Sequence, residues 1–262
     1  MTSLIELVRK HDIEGIEEYI KNGHDLDIRD KEGYTGLIEA CISGFTDIAR
    51  ILIKNGCNMD IKNKYEMNGL LYACNWNRLE IVDILVKNGC NINLTDYKGY
   101  TGFIEVCFNG NVKIVRILIS GGCDLNIQDR YGYTGLIWAC KYDHNKVISL
   151  LIKTECDLNI QDEDGYTGLI WACRHGYEKI ASLLIRSKCV LNIKNKYGKT
   201  YQFYIKLHQQ KSINRAILDT GLIGSLIRYI IKHKNKYKIE DLKTLPRSLR
   251  RELGRSINLL KS

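Results

Sequence analysis

Ten cysteines and six histidines are the side chains in this 262-residue chain best equipped to ligate a metal, cross-link or attack a carbonyl. The cysteines fall in two columns, Cys41, Cys74, Cys107, Cys140, Cys173 and Cys57, Cys90, Cys123, Cys156, Cys189, and each column steps by 33 residues. Zinc needs closely spaced ligands that converge on one ion, and no CxxC or Cys/His cluster supplies that spacing. A catalytic thiol needs a base at hand. His175 lies two residues from Cys173, and on a helix that offset sends the two side chains to different faces. There is no glycine-rich phosphate loop, no zinc-binding histidine pair and no elbow serine. No catalytic, metal or cofactor-binding residue is assigned, and the chain reads as a non-enzyme. The thiols read as small buried hydrophobes in a reducing compartment. Helices packed about 8–10 Å apart would keep cysteines of one column beyond the ~7 Å Cα reach of a disulfide. Pairing between the columns stays open.

The elements that carry these cysteines recur with the same period. GYTGLIWAC stands at Gly132–Cys140 and again at Gly165–Cys173. Tyr-Thr-Gly also occurs at Tyr34-Thr35-Gly36 and Tyr100-Thr101-Gly102, with Met67-Asn68-Gly69 between them and Lys199-Thr200-Tyr201 after the last copy. A fixed period of 33 residues signals a repeat architecture and overrides the one or two globular domains that length alone suggests. Each unit opens on a turn with glycine at 33, 99, 132, 165 and 198, Glu66 being the exception. Thr or Asn follows as an N-cap, then an apolar stripe such as Leu136, Ile137, Ala139 and Cys140 at helical spacing. Gly44, Asn77, Gly110, Asp143 and Gly176 tolerate a left-handed turn and should end the first helix. A second helix follows, closed by Gly56, Gly89 and Gly122. Glu155 and Lys188 in that column should each cost about 1 kcal/mol.

A turn and two short helices per unit resemble the ankyrin repeat. The family's Thr-Pro-Leu-His opening becomes Thr-Gly-Leu-Ile here, and its Gly-Ala before an Asp-Val-Asn loop becomes Gly-Cys-Asp-Leu-Asn. The glycines at 36, 69, 102, 135 and 168 replace a proline that presets φ, which should loosen each helix start. The resemblance implies an all-α solenoid of helix-turn-helix units. They run as a capping half-repeat (1–30), five repeats (31–63, 64–96, 97–129, 130–162, 163–195), a degenerate repeat (196–228) and a basic helical tail (229–262).

The resemblance also implies a protein-binding scaffold that works as a monomer through the concave wall of hairpin tips and first helices. Carried onto this sequence, that wall comprises Tyr34, Tyr65, Tyr97, Tyr100, Tyr131, Tyr133 and Tyr166 from the tips. The first helices add Trp76, Phe108, Trp138, Lys141, Tyr142, Trp171 and Arg174. Glu39, Tyr72, Glu105, Trp138 and Trp171 are expected to share the outward helix face. Tyr and Trp beside Lys and Arg have the chemistry of interface hot spots. The competing reading is that these rings cover the helix starts and pack on one another, and burial of Trp138 and Trp171 would remove them as anchors. Asn93, Asn126, Asn159 and Asn192 resemble loop asparagines that ankyrin proteins offer to an asparaginyl hydroxylase.

Charge is unevenly placed. From Lys194 onward, 17 lysines and arginines face 4 acidic residues, whereas the earlier residues are acidic by 4 charges. Lys232, Lys234, Lys236, Lys238, Arg247, Arg250 and Arg251 mark this end. They raise the alternative of salt-dependent nucleic-acid or anionic-surface binding. A helix, a basic linker and a Leu245-Pro246 segment also resemble the SOCS-box or F-box-like ends of ankyrin adapters for ubiquitin ligases. No apolar run is long enough to cross a bilayer, and MTSLIELVRKHD meets charge too early for a secretory signal. An intracellular setting is expected, the cytoplasm first and the nucleus second.

Overall fold

A computed structural model of the chain describes residues 3–187 and 189–209. The chain divides into two compact units, Met1–Tyr201 and Gln202–Ser262. Residues 202–209 of the second are helical. The tail positions from Lys232 to Arg251, and most of the expected degenerate repeat, lie outside the described residues.

Twelve α-helices are paired along the first unit: α1 (Leu4–Arg9) with α2 (Ile13–Lys21), α3 (Gly36–Ser43) with α4 (Thr46–Lys54), and α5 (Gly69–Asn75) with α6 (Leu79–Lys87). Then come α7 (Gly102–Phe108) with α8 (Val112–Ser120), α9 (Gly135–Lys141) with α10 (Asn145–Leu151), and α11 (Gly168–His175) with α12 (Glu178–Ile185). The first helix of each pair packs on the first helix of the next, and from α4 onward the second packs on the second, giving two layers. Among the described residues the only β pairing is an isolated bridge between Thr95 and Thr101.

Local chemistry sets the helix ends. Thr35, Thr101, Thr134 and Thr167 accept a hydrogen bond on Oγ1 from the backbone N–H three residues on, and Asn68 does so through Oδ1. Such a cap contributes about 1 kcal/mol. The chain turns left-handed straight after α3 and α11, at Gly44 and Gly176, and a residue or two beyond the ends of α5, α7 and α9, at Asn77, Gly110 and Asp143. Glu66 takes the same conformation as the glycines of its column, at φ 58°. Glu155 departs from expectation. It adopts no positive φ, because α10 ends at Leu151 and Thr154 bonds back to the Leu151 carbonyl. The chain takes another route around the left-handed turn.

Between the layers lie side chains that the period repeats, such as Leu37, Leu70, Phe103, Leu136 and Leu169, all buried. The first cysteine column is buried with them, and Cys57, Cys90, Cys123 and Cys156 are buried in the loops that follow the second helices; all ten thiols are free. The expected looseness at the helix starts is offset by sulfur. A Cβ built on Gly69, Gly102 or Gly168 would stand 3.0, 2.9 or 3.0 Å from Sγ of Cys41, Cys74 or Cys140 in the preceding repeat. Glycine and cysteine thus form a complementary pair at these three junctions, close-packed as interiors are, while Gly135 meets Phe103 as well as Cys107 and Gly36 meets Leu4.

Loops are stitched across junctions by a second ladder. The side-chain oxygens of Asp27, Asp60, Asn93, Asn126 and Asn159 accept the backbone N–H of Asn58, Asn91, Asp124, Asp157 and Val190 respectively, at 2.6–2.9 Å. Asn93, Asn126 and Asn159 therefore have a structural partner in the next repeat.

Candidate functional site

The wall expected from the sequence is assembled by one loop residue per repeat. In the turn before each first helix, Asp30, Asn63, Asp96, Asp129 or Asp162 uses Oδ1 to accept two backbone N–H groups, two and four residues on. That leaves the second side-chain atom aimed at the first helix. Asp129 Oδ2 accepts the indole N–H of Trp138 at 2.8 Å, and Asp162 Oδ2 that of Trp171 at 2.6 Å. Asn63 Nδ2 donates to Tyr72 Oη at 2.9 Å. In the first repeat the Arg9 guanidinium bridges Asp30 and Glu39. None of these five residues is among those the sequence placed on the wall. Their 33-residue column, paired with the column nine residues on, was the available signal.

This geometry corrects the placement of the two tryptophans. Trp138 and Trp171 are 7% and 8% exposed, and Tyr166 is 3% exposed. Burying the indole N–H on a carboxylate turns each ring inward, where aromatic side chains of its own and the preceding repeat cover it. Trp138 touches Tyr133 (centroids 4.6 Å), Phe108 (5.1 Å), Tyr142 (5.8 Å) and Tyr100 (6.0 Å), and Trp171 touches Tyr166 (5.0 Å) and Tyr133 (6.1 Å). The competing sequence reading, rings packed on one another along the column, describes these positions. Glu39, Tyr72 and Glu105 of the same helix column are half-buried rather than outward.

Lys141 sits inside this cluster. Its Nζ lies 4.4 Å from the Tyr133 ring centre and 4.7 Å from those of both Trp138 and Trp171. Three ring faces around one ammonium make a strong cation–π arrangement. Burial lowers the Lys141 pKa, Asp162 and Asp129 oppose that, and Arg174 adds to it. Arg174 lies over Tyr166 and Trp171. Burial also pushes the Tyr133 hydroxyl up to about 12. Tyr34 is held apart from this cluster, its hydroxyl 3.1 Å from that of Tyr72.

What remains open to solvent is a different aromatic set. Trp76 is 55% exposed and Tyr131 57%, and Tyr65, Tyr97, Tyr142 and Tyr197 are exposed beside them. Tyr65, Tyr131 and Tyr197 occupy one tip column, Tyr97 the position before it, and Trp76 and Tyr142 the end of the first helix. Lys64, Lys98 and Arg130 alternate with the tyrosines at the tips and are exposed too. Successive tips are joined by backbone bonds, Lys64 N–H to Glu32, Arg130 to Lys98, Glu163 to Tyr131 and Lys196 to Asp164.

Among the described residues no group of three or more His, Cys, Asp or Glu is placed to hold a metal ion, and no helix is long and apolar enough to cross a membrane. Burial pushes the thiols of Cys57, Cys90, Cys123, Cys156 and Cys173 up to about 12, so each stays protonated and a poor nucleophile.

Stacked helix pairs with linked, solvent-facing tips define a repeat scaffold, the class whose surface is a continuous wall rather than one deep cleft. The chain belongs to the ankyrin repeat family: the family model described as "Ankyrin repeats (3 copies)" matches residues 4–96 and 103–200. None of the curated proteins compared matches the chain. Ankyrin repeats are in general protein–protein interaction modules, and the fold is typically a non-catalytic scaffold.

Proposed function

We propose that this chain is a non-catalytic adapter that binds a protein partner along the hairpin tips and the ends of the first helices of its repeats, roughly residues 31–195. The observation that carries the reading is the placement of exposed rings. Among the described residues up to 201, every exposed Tyr, Trp or Phe stands at a tip or at a first-helix end. Single exposed rings are ordinary, but confinement to one face, interleaved with Lys64, Lys98 and Arg130, matches the make-up of interface anchors. The buried Trp138, Trp171 and Lys141 cluster stiffens the same face from behind, which lowers the ordering cost of docking. Free, buried thiols suit a reducing compartment.

A photo-crosslinking side chain placed at Tyr131, and separately at Arg116 on α8, tests this in cells. A discrete protein adduct from position 131, absent from position 116 and lost with Trp76→Ala plus Tyr97→Ala, is expected. Equal adducts from both positions, or an adduct abolished by about 0.5 M salt, where charge attraction is screened, would favour the basic end from Lys194 onward as the contact.

A further inference from the structure

In the column Asp30, Asn63, Asp96, Asp129, Asp162, each second side-chain atom but one meets a partner of matching chemistry. Asp30 shares the Arg9 guanidinium with Glu39, Asn63 meets Tyr72, and Asp129 and Asp162 meet indole N–H groups. The exception is the third repeat, where the position nine residues on from Asp96 carries a second carboxylate, Glu105, near enough for the charge of Asp96 to act on it. Asp96 Oδ1 takes the N–H groups of Lys98 and Tyr100, and Glu105 Oε1 takes Asn109 Nδ2. Asp96 Oδ2 and Glu105 Oε2 accept no hydrogen bond and form no ion pair among the described residues. Burial and then the charge of Asp96 raise the Glu105 pKa, while Asn109 and Lys98 pull it down. The charge of Lys98 reaches both carboxylates, yet its Nζ forms an ion pair with neither and lies 5.4 Å from the centre of the Tyr97 ring, while Lys62 Nζ bonds to the Thr95 carbonyl and Glu66.

The same molecule shows what such a pair holds. Asp30 and Glu39 occupy the equivalent positions two repeats earlier, and Arg9 Nη2 spans them at 3.3 and 3.0 Å. Arg9 belongs to a column that continues through Ile42, Asn75, Phe108, Lys141 and Arg174. Where that column supplies a cation to the next repeat, the cation is used, as Lys141 is among the rings of the fourth and fifth repeats. Before the third repeat it supplies Asn75, which is exposed, short and uncharged.

We infer that Asp96 and Glu105 form a receptor for an arginine side chain of the protein partner, seated as Arg9 is seated on Asp30 and Glu39. This rests on the docking role proposed above and adds the chemistry the partner must present at the third repeat. A guanidinium suits two carboxylates better than an ammonium, because its planar fork directs separate N–H donors at both.

The full-length chain, labelled with 13C at Asp and Glu side-chain carboxyls, is titrated with N-acetyl-arginine methylamide. N-acetyl-lysine methylamide, calcium chloride and sodium chloride at matched ionic strength serve as comparisons. A saturable shift at Asp96 and Glu105 that is strongest with the arginine compound is expected. Glu105→Gln should abolish it, and so should Asn75→Arg, whose own guanidinium would fill the site. Asn75→Arg should also raise the melting temperature by roughly 2–4 °C, and lose that gain when combined with Glu105→Gln. An arginine response no larger than that of sodium chloride, a stronger response to calcium, or a proton already shared by the two carboxyls at pH 7 would overturn the inference. If the site fails in this way while Trp76→Ala plus Tyr97→Ala still removes the crosslink at Tyr131, the docking face stands without it.

Discussion

Gly168→Ala probes the pairing of glycine and cysteine at the repeat junctions. Gly168 is the first residue of α11 and is not left-handed, so alanine suits its backbone and should gain about 0.4–1 kcal/mol by restricting the unfolded chain. The new methyl would lie 3.0 Å from Cys140 Sγ, with the next neighbours at 3.6 and 3.7 Å. That is at least ~0.5 Å inside the preferred separation of non-bonded heavy atoms, and overpacking of this kind costs about 1–3 kcal/mol. A net loss of about 0.5–2 kcal/mol follows. Cys140→Ala removes a fully buried sulfur and should lose about 1 kcal/mol through the cavity it leaves. In the double variant the methyl enters the space the sulfur vacates, so the two losses should cancel in part, with a coupling of about 1–2 kcal/mol. Urea unfolding followed by far-UV circular dichroism on the parent, both singles and the double measures this directly. Losses that add to within about 0.5 kcal/mol, or a Gly168→Ala variant as stable as the parent, would refute the complementary-pair argument.

Glu66→Gly should stabilise the chain by about 0.5–1 kcal/mol, since a left-handed residue at φ 58° gains from losing its Cβ. The Lys62–Glu66 ion pair forfeited is largely exposed, and a rise in melting temperature checks the sign. The raised Glu105 pKa means the native state holds that proton more tightly than the unfolded chain. Stability should therefore fall as pH climbs from the ordinary value of 4.5 through Glu105's folded pKa, and Glu105→Gln should flatten that fall in melting curves taken across it. Native thiol labelling at pH 8 should modify Cys189, the one half-exposed cysteine, well before the other nine. Rapid labelling of Cys74 or Cys107, both fully desolvated, would contradict the burial described here.

The period was legible because each repeat solves the same local problem with the same residues. A cap at Thr134, an apolar stripe through Leu136 and Ile137, and a left-handed stop at Asp143 are decided within a dozen residues, so sequence alone determined the helix pairs, their order and the inward cysteines. Which way a ring on the first helix turns is not local. Trp138 and Trp171 share a helix column with Glu39 and Glu105, and periodicity treats all four alike. The Asp129 and Asp162 carboxylates accept the indole N–H groups, and the gain from satisfying a buried donor holds those rings beneath aromatic side chains of their own and the preceding repeat. The exposed face was thereby left to Tyr65, Trp76, Tyr97, Tyr131 and Tyr142, and the third repeat was left with two carboxylates and no side chain bridging them. The carboxylate bonds span only nine residues, but the rings that seal them, Tyr100 and Phe108 on Trp138 and Tyr133 on Trp171, come from the preceding repeat, so that burial exists only once the repeats have stacked.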